Sequence, residues 1–126
     1  MIESYRDLVV WQKAMDLAEE VYVLCKLMPK DELYGLVNQL HRAVVSIPSN
    51  IAEGFGRHST AEYLHFLSVA NGSLAEVETQ LLLAIRFGYI VSSQSEKALS
   101  LRLEISKMLA SLRRKLVDRK QEKGNK

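Results

Sequence analysis

Within the stretch RHSTAEYLH, residues 57–65, His58, Glu62 and His65 stand at i, i+4 and i+7. On one helix these three would share a face, and imidazole with carboxylate is a donor set for a divalent metal. A di-iron bundle, however, needs paired Glu-x-x-His motifs and further carboxylates. This chain has one such motif, Glu62 to His65, and Glu62 is already accounted for by the capping box STAE that Ser59 opens. No metal and no cofactor is therefore expected. Cys25 falls on the apolar face of its helix, where a thiol is a small inert hydrophobe. The glycines of GFGR, residues 54–57, follow a helix rather than a strand, and no Lys-Ser/Thr comes after them, so they do not read as a phosphate loop. Glu53 beside Gly54 has no visible partner for base catalysis. A helix-end hydrogen bond or an ion pair between subunits accounts for it better. The chain is read as a non-enzyme, with no catalytic residues.

Cations are the second chemistry. His41, Arg42, Arg57, Arg86, Arg102, Arg113, Arg114 and Lys115 are the candidates for contact with nucleic-acid phosphate. Each such contact releases counterions and adds affinity without reading sequence. Residues 113–126, RRKLVDRKQEKGNK, hold seven Lys/Arg and two Asp/Glu, a net of +5 against +2 for the whole chain, so the rest sums to −3. Such a basic end can meet phosphate, or it can be only a solvated terminus. No basic groove interleaved with aromatics is visible, which counts against a sequence-specific reader of single strands.

Helices must position these groups. The chain of 126 residues, 48% hydrophobic, is enough for one domain with a real core. The spacing predicts a first helix over 6–28, ended by Pro29. It carries two adjacent apolar stripes, one through Leu8, Trp11, Met15, Ala18, Tyr22 and Cys25, the other through Val10, Ala14, Leu17, Val21, Leu24 and Met28. Two stripes make a face wider than one neighbour covers, so Leu8, Val10, Trp11, Leu17 and Val21 are the candidate oligomer interface. A second helix starts near Leu36, a third at Ser59 and ends before Gly88, and a fourth opens with a Ser93–Glu96 capping box. Beyond about Lys120 the apolar signal stops. Residues 1–120 are the expected domain and 121–126 a disordered basic tail. Short loops favour an all-α, antiparallel up-down-up-down four-helix bundle. No run of about 18 apolar residues suggests a membrane span. The opening residues lack the pattern of a signal peptide, and the single cysteine fits a cytoplasmic address.

SIPSNIAEG, residues 46–54, puts a proline into the second helix. Either the helix stops near Ile47 and restarts under an Asn50–Glu53 cap, or it runs on, kinked at Pro48. Val44, Ile47 and Ile51 keep their 3-4 phase across the proline, which favours one kinked helix ending at Gly54. Folding the third helix back then sets Gly72 and Ser73 near Ala43 and Ser46. The expectation is a close crossing of small residues, a joint rather than an active site.

Four stretches together resemble a known family. They are YRDLVVWQKAMDLAEEVY, LYGLVNQLHRAVVSIPSNIAEGFGR, EYLHFLSVANGSLAEVETQLLLA and GYI, within residues 4–118. The chain resembles the S23-like four-helix bundles encoded in intervening sequences of bacterial large-subunit ribosomal RNA genes. That family is similar to the accessory protein of diversity-generating retroelements, a pentameric barrel with a basic surface that associates with nucleic acid and a reverse transcriptase. The resemblance implies a bundle that forms a ring-like homopentamer, with no established enzyme activity. Where the family has QLRRA this chain has QLHRA, so His41 replaces a permanent charge. The expected function is a non-enzymatic self-assembling bundle that binds RNA or DNA through basic surface residues and the basic tail. The alternative is an adaptor for a protein partner, such as a reverse transcriptase-like enzyme, without nucleic-acid affinity.

Overall fold

The computed structural model describes residues 2–124. Four helices follow one another: α1 Val9–Cys25, α2 Leu36–Phe55, α3 Thr60–Arg86 and α4 Ser92–Gly124. Consecutive helices pack side by side and α1 closes against α4, while the backbones of the diagonal pairs stay apart among the described residues. This is the expected antiparallel up-and-down arrangement. Its centre is an apolar column that includes Leu17, Val21, Leu40, Ile47, Ile51, Leu74, Leu81, Ile105 and Leu109, all under 2% exposed.

The first helix is shorter than its periodicity suggests. Ser4 and Asp7 form a capping box around a single 3-10 turn, Tyr5–Asp7. Leu8 is then extended, at φ −73° and ψ 122°, and α1 begins only at Val9. At the other end α1 stops at Cys25, and Lys26, Leu27 and Met28 wind into a turn before Pro29. A local cap thus overrides the continuous apolar phase.

The second helix runs unbroken from Leu36 to Phe55 with Pro48 inside it. The proline cannot donate to the Val44 carbonyl. Asn50 strengthens the same turn: its Nδ2 donates to the Ser46 carbonyl at 2.7 Å and to the Ser46 hydroxyl at 2.9 Å. Ser73 of α3 donates its hydroxyl to that of Ser46 at 2.9 Å, so the joint is bonded across the two helices. Gly72 does not contribute. It lies on the outer surface of α3, and a Cβ there would meet nothing within 4 Å. The tight contact is at Gly54, where a Cβ would lie 2.9 Å from the Tyr63 ring and 3.3 Å from the Tyr63 carbonyl oxygen. A glycine next to the α2–α3 turn, not one in mid-helix, lets the two backbones meet.

Local chemistry fixes the remaining ends. Ser59 accepts from the Glu62 N–H at 3.1 Å and starts α3. At its far end Gly88 takes φ +78°, with Gly88 N–H on the Ile85 carbonyl and Tyr89 N–H on the Ala84 carbonyl. This double closure is a Schellman motif. The fourth helix opens differently from expectation: Gln94 accepts from the Val91 N–H at 2.9 Å, and Ser95 is buried with its hydroxyl on the Ser92 carbonyl. Gln94 therefore does the work assigned to Glu96. At the other end α4 stays helical through Gly124, past the expected boundary at residue 120. Residues 125 and 126 of the expected tail lie outside the described residues.

Candidate functional site

Two faces of the bundle are left open, and they share α2. The first lies between α1 and α2. Of the two α1 stripes, the one through Val10, Leu17 and Val21 is consumed by the core, at 6%, 0% and 0% exposure. These three expected interface residues are corrected to core residues. The middle of the other stripe stays open, with Met15 41% and Tyr22 40% exposed and Trp11 half-buried, while Cys25 at its end joins the core. Trp11, Met15 and Ala18 face Val45, Pro48 and Ala52 across a depression of about 370 Å³. Tyr5 supports Trp11 edge-on, with ring centroids 5.2 Å apart. Further along, Met15, Ala18, Tyr22 and Val23 line a second hollow of about 430 Å³ rimmed by Glu19 and Lys26. Tyr22 stacks flat on His41, centroids 3.9 Å apart and planes 7° apart. Leu8 opens on the opposite side, with Val9 and Met108 between α1 and α4.

The second open face is a polar groove of about 370 Å³ between α2 and α3. Its floor holds the Ser46–Ser73 hydrogen bond. One turn along, Arg42 and Glu76 line opposite walls, and one turn further Asn38 faces Gln80. Gln80 is 8% exposed, and its Oε1 is buried without a hydrogen-bond partner among the described residues. A buried amide left in this state costs free energy comparable to a lost hydrogen bond.

The candidate phosphate-binding cations do not converge on one patch. Arg57 pairs with Glu53 one turn back and sits over the Phe66 ring, 4.8 Å from its centroid. That pair is the helix-end interaction expected of Glu53. Arg102 binds Glu78 at 2.9 Å and is mostly covered. Arg113 donates to the Ser68 hydroxyl at 3.2 Å. His41 is engaged by Tyr22, and Arg42 belongs to the polar groove. Arg86 is exposed at the end of α3, far from Arg114 and Lys115, which are exposed near the end of α4. Arg119, Lys120 and Lys123 follow on the same helix, also exposed.

His58, Glu62 and His65 do not assemble. His58 precedes the helix, and His65 instead makes an edge contact with Phe66, centroids 5.3 Å apart. No group of three or more His, Cys, Asp or Glu able to hold a metal gathers among the described residues. Burial pushes the Cys25 thiol up to about 11, which keeps it protonated and poorly nucleophilic at neutral pH. No helix among the described residues is long and apolar enough to cross a membrane.

An antiparallel four-helix bundle with one apolar and one polar face open is the class of protein that these features define. The chain belongs to the 23S rRNA-intervening sequence protein family, whose pattern matches residues 6–111. It is similar to a solved protein of unknown function of the S23 ribosomal protein family from Bacteroides thetaiotaomicron. The two are 30% identical with a TM-score of 0.77, over 83% of this chain and 98% of that chain. No curated protein matches the chain.

Proposed function

We propose that the chain is a non-catalytic, self-assembling four-helix bundle, a homopentamer, that binds RNA or DNA through the basic end of α4. The observation behind assembly is the open apolar face of α1 and α2. Single exposed apolar side chains are ordinary, but here Trp11, Met15, Tyr22 and Val45 adjoin one another along two connected hollows. A contiguous apolar patch rimmed by charge is the signature of an interaction surface. The number five comes from the family resemblance. For nucleic acid, Arg114, Lys115, Arg119, Lys120 and Lys123 are the cations that share one exposed helical segment. Several copies gathered in a ring would raise the local potential and steer phosphate chains toward it.

Native mass spectrometry and fluorescence anisotropy test the two halves. The wild-type chain is expected at five subunit masses. Labelled structured RNA or duplex DNA is expected to bind with an affinity that falls steeply between about 50 and 200 mM salt. Replacing Arg119, Lys120 and Lys123 with Gln should flatten that dependence. A monomeric mass overturns assembly. No binding at the lowest salt overturns the nucleic-acid half and leaves the adaptor reading, which exposed Tyr34, Phe87 and Val91 at the loop end of the bundle favour.

A further inference from the structure

Five large apolar side chains stand in water at one end of the bundle. Leu27, Leu33 and Tyr34 come from the connection between α1 and α2, residues 26–35, and Phe87 and Val91 from that between α3 and α4, residues 87–91. Each is more than half exposed, and Tyr34 is 91% exposed. The antiparallel arrangement puts both connections at the same end, and the Tyr89 hydroxyl, donating to Glu32 at 2.7 Å, ties one to the other. Phe87 meets Tyr89 edge-on, with centroids 5.7 Å apart. The end is therefore braced, and docking it on a surface costs little further ordering.

The backbone beneath these side chains is closed on itself. Leu27 N–H donates to the Leu24 carbonyl at 3.0 Å, Leu33 N–H to that of Lys30 at 3.1 Å, Phe87 N–H to that of Leu83 at 2.8 Å, and Val91 N–H to the Gln94 side chain at 2.9 Å. Water satisfies an exposed loop without such bonds, whereas a medium poor in hydrogen-bonding partners demands them. The charges fit the same surroundings. Lys26 and Arg86 sit at the helix ends, set back from the tips, and Lys30 lies in the loop. All three are exposed and make no ion pair among the described residues. Against them stand Asp31 and Glu96, while the Glu32 carboxylate is taken up by Tyr89 and the Leu36 N–H. Lys30 also rims an apolar hollow of about 340 Å³ lined by Met28, Pro29, Leu33 and Val37.

We propose that this end of the bundle docks on an anionic lipid surface. Leu33, Tyr34 and Phe87 enter the headgroup region, a depth that suits aromatic rings. Lys26, Lys30 and Arg86 meet lipid phosphate, their stems lying along the apolar tips and their charges drawn by the negative surface. The Asp31 and Glu32 carboxylates keep the loops at the interface, so the chain lies against the bilayer by its end and does not enter the hydrocarbon. A protein partner would also cover the apolar tips, but it brings its own donors and acceptors and gives no reason for a loop backbone closed in advance. The contact depends on neither the self-assembly nor the nucleic-acid binding proposed above.

Co-sedimentation of the full chain with lipid vesicles tests it. The wild type is expected to pellet with vesicles of phosphatidylcholine and phosphatidylserine in equal parts, and far less with phosphatidylcholine alone. The double variant Tyr34→Ser, Phe87→Ser changes two exposed positions, and circular dichroism checks that it keeps its helices. It is expected to bind the mixed vesicles about tenfold more weakly or worse, through the lost burial of two rings. A wild type that stays in the supernatant with both vesicle types overturns the proposal. Pelleting that the double variant retains in full overturns the assignment to this end. Equal binding of the wild type to both vesicle types overturns the part given to Lys26, Lys30 and Arg86.

Discussion

The two sides of α2 solve the same packing problem in opposite ways. Toward α1 it presents Val45, Pro48 and Ala52, and the space between the helices stays open and apolar. Toward α3 it presents Ser46 and Gly54, and the helices close to hydrogen-bond and van der Waals distance at those points. Small polar residues bind α2 to α3 within the chain. Val45 and Pro48, larger and apolar, leave α1 and α2 with surface to offer. A helix can thus be a structural joint on one side and an interaction surface on the other, with the division set by side-chain size at a few positions.

The sharpest way to break the comparison is on α1 itself, where core and open stripes run side by side. Leu17→Ala should destabilise the bundle by about 2–5 kcal/mol, because Leu17 is fully buried and its loss leaves a cavity. Met15→Ala, two positions earlier and 41% exposed, should leave thermal stability nearly unchanged while lowering the native mass. Equal losses of stability in the two variants would erase the distinction between the stripes.

Glycine substitutions sharpen it next. Gly54→Ala sets a methyl group against the Tyr63 ring and backbone, and should cost about 1–3 kcal/mol in chemical denaturation. Gly72→Ala faces open space in a helix interior and should stabilise by about 0.5–1 kcal/mol. The opposite signs distinguish the tight end of the α2–α3 contact from its outer surface.

The smallest effect is expected at the loop end. The Tyr89 hydroxyl donates to Glu32 at 2.7 Å, and the other Glu32 oxygen accepts from the Leu36 N–H at 3.2 Å. Both bonds favour the carboxylate and hold Glu32 below its ordinary 4.5. A group depressed in the folded state adds stability above its unfolded value and loses it as pH falls through the folded one. Glu32 also holds Tyr89 above its ordinary 10, so the Tyr89 contribution is present below that value and fades as pH rises through the raised one. Thermal melts across the acid range should therefore show a shallower loss in Tyr89→Phe than in the wild type.

Much of this arrangement was legible in the residues. The helix count, the uninterrupted α2 and the Ser46–Ser73 contact follow from apolar phase, the phase across Pro48 and simple antiparallel register. What escaped was decided at shorter or longer range. The Ser4–Asp7 cap is a local competitor that periodicity ignores, and Gln94 took a role that Glu96 fits equally well by composition. Which α1 stripe faces the core depends on the rotation of the helix in the bundle, and neither stripe announces that alone. The polar groove needed register as well as type: Arg42 and Glu76 are 34 positions apart in sequence, yet they line opposite walls of one groove. The basic residues were visible singly, but their separation into ion-paired and free groups depends on neighbours such as Glu78 and Glu53.

The ring of helix contacts also sets how the chain reaches its fold. Three of the four packed pairs join helices that follow each other through short connections, so their closure costs little chain entropy. Only the seam between α1 and α4, where Lys13 meets Glu104 and Glu20 meets Lys97, brings together residues from opposite ends of the sequence. The entropic cost of topology is concentrated in that one seam. The other three pairs can form as hairpins of neighbouring helices before that seam closes.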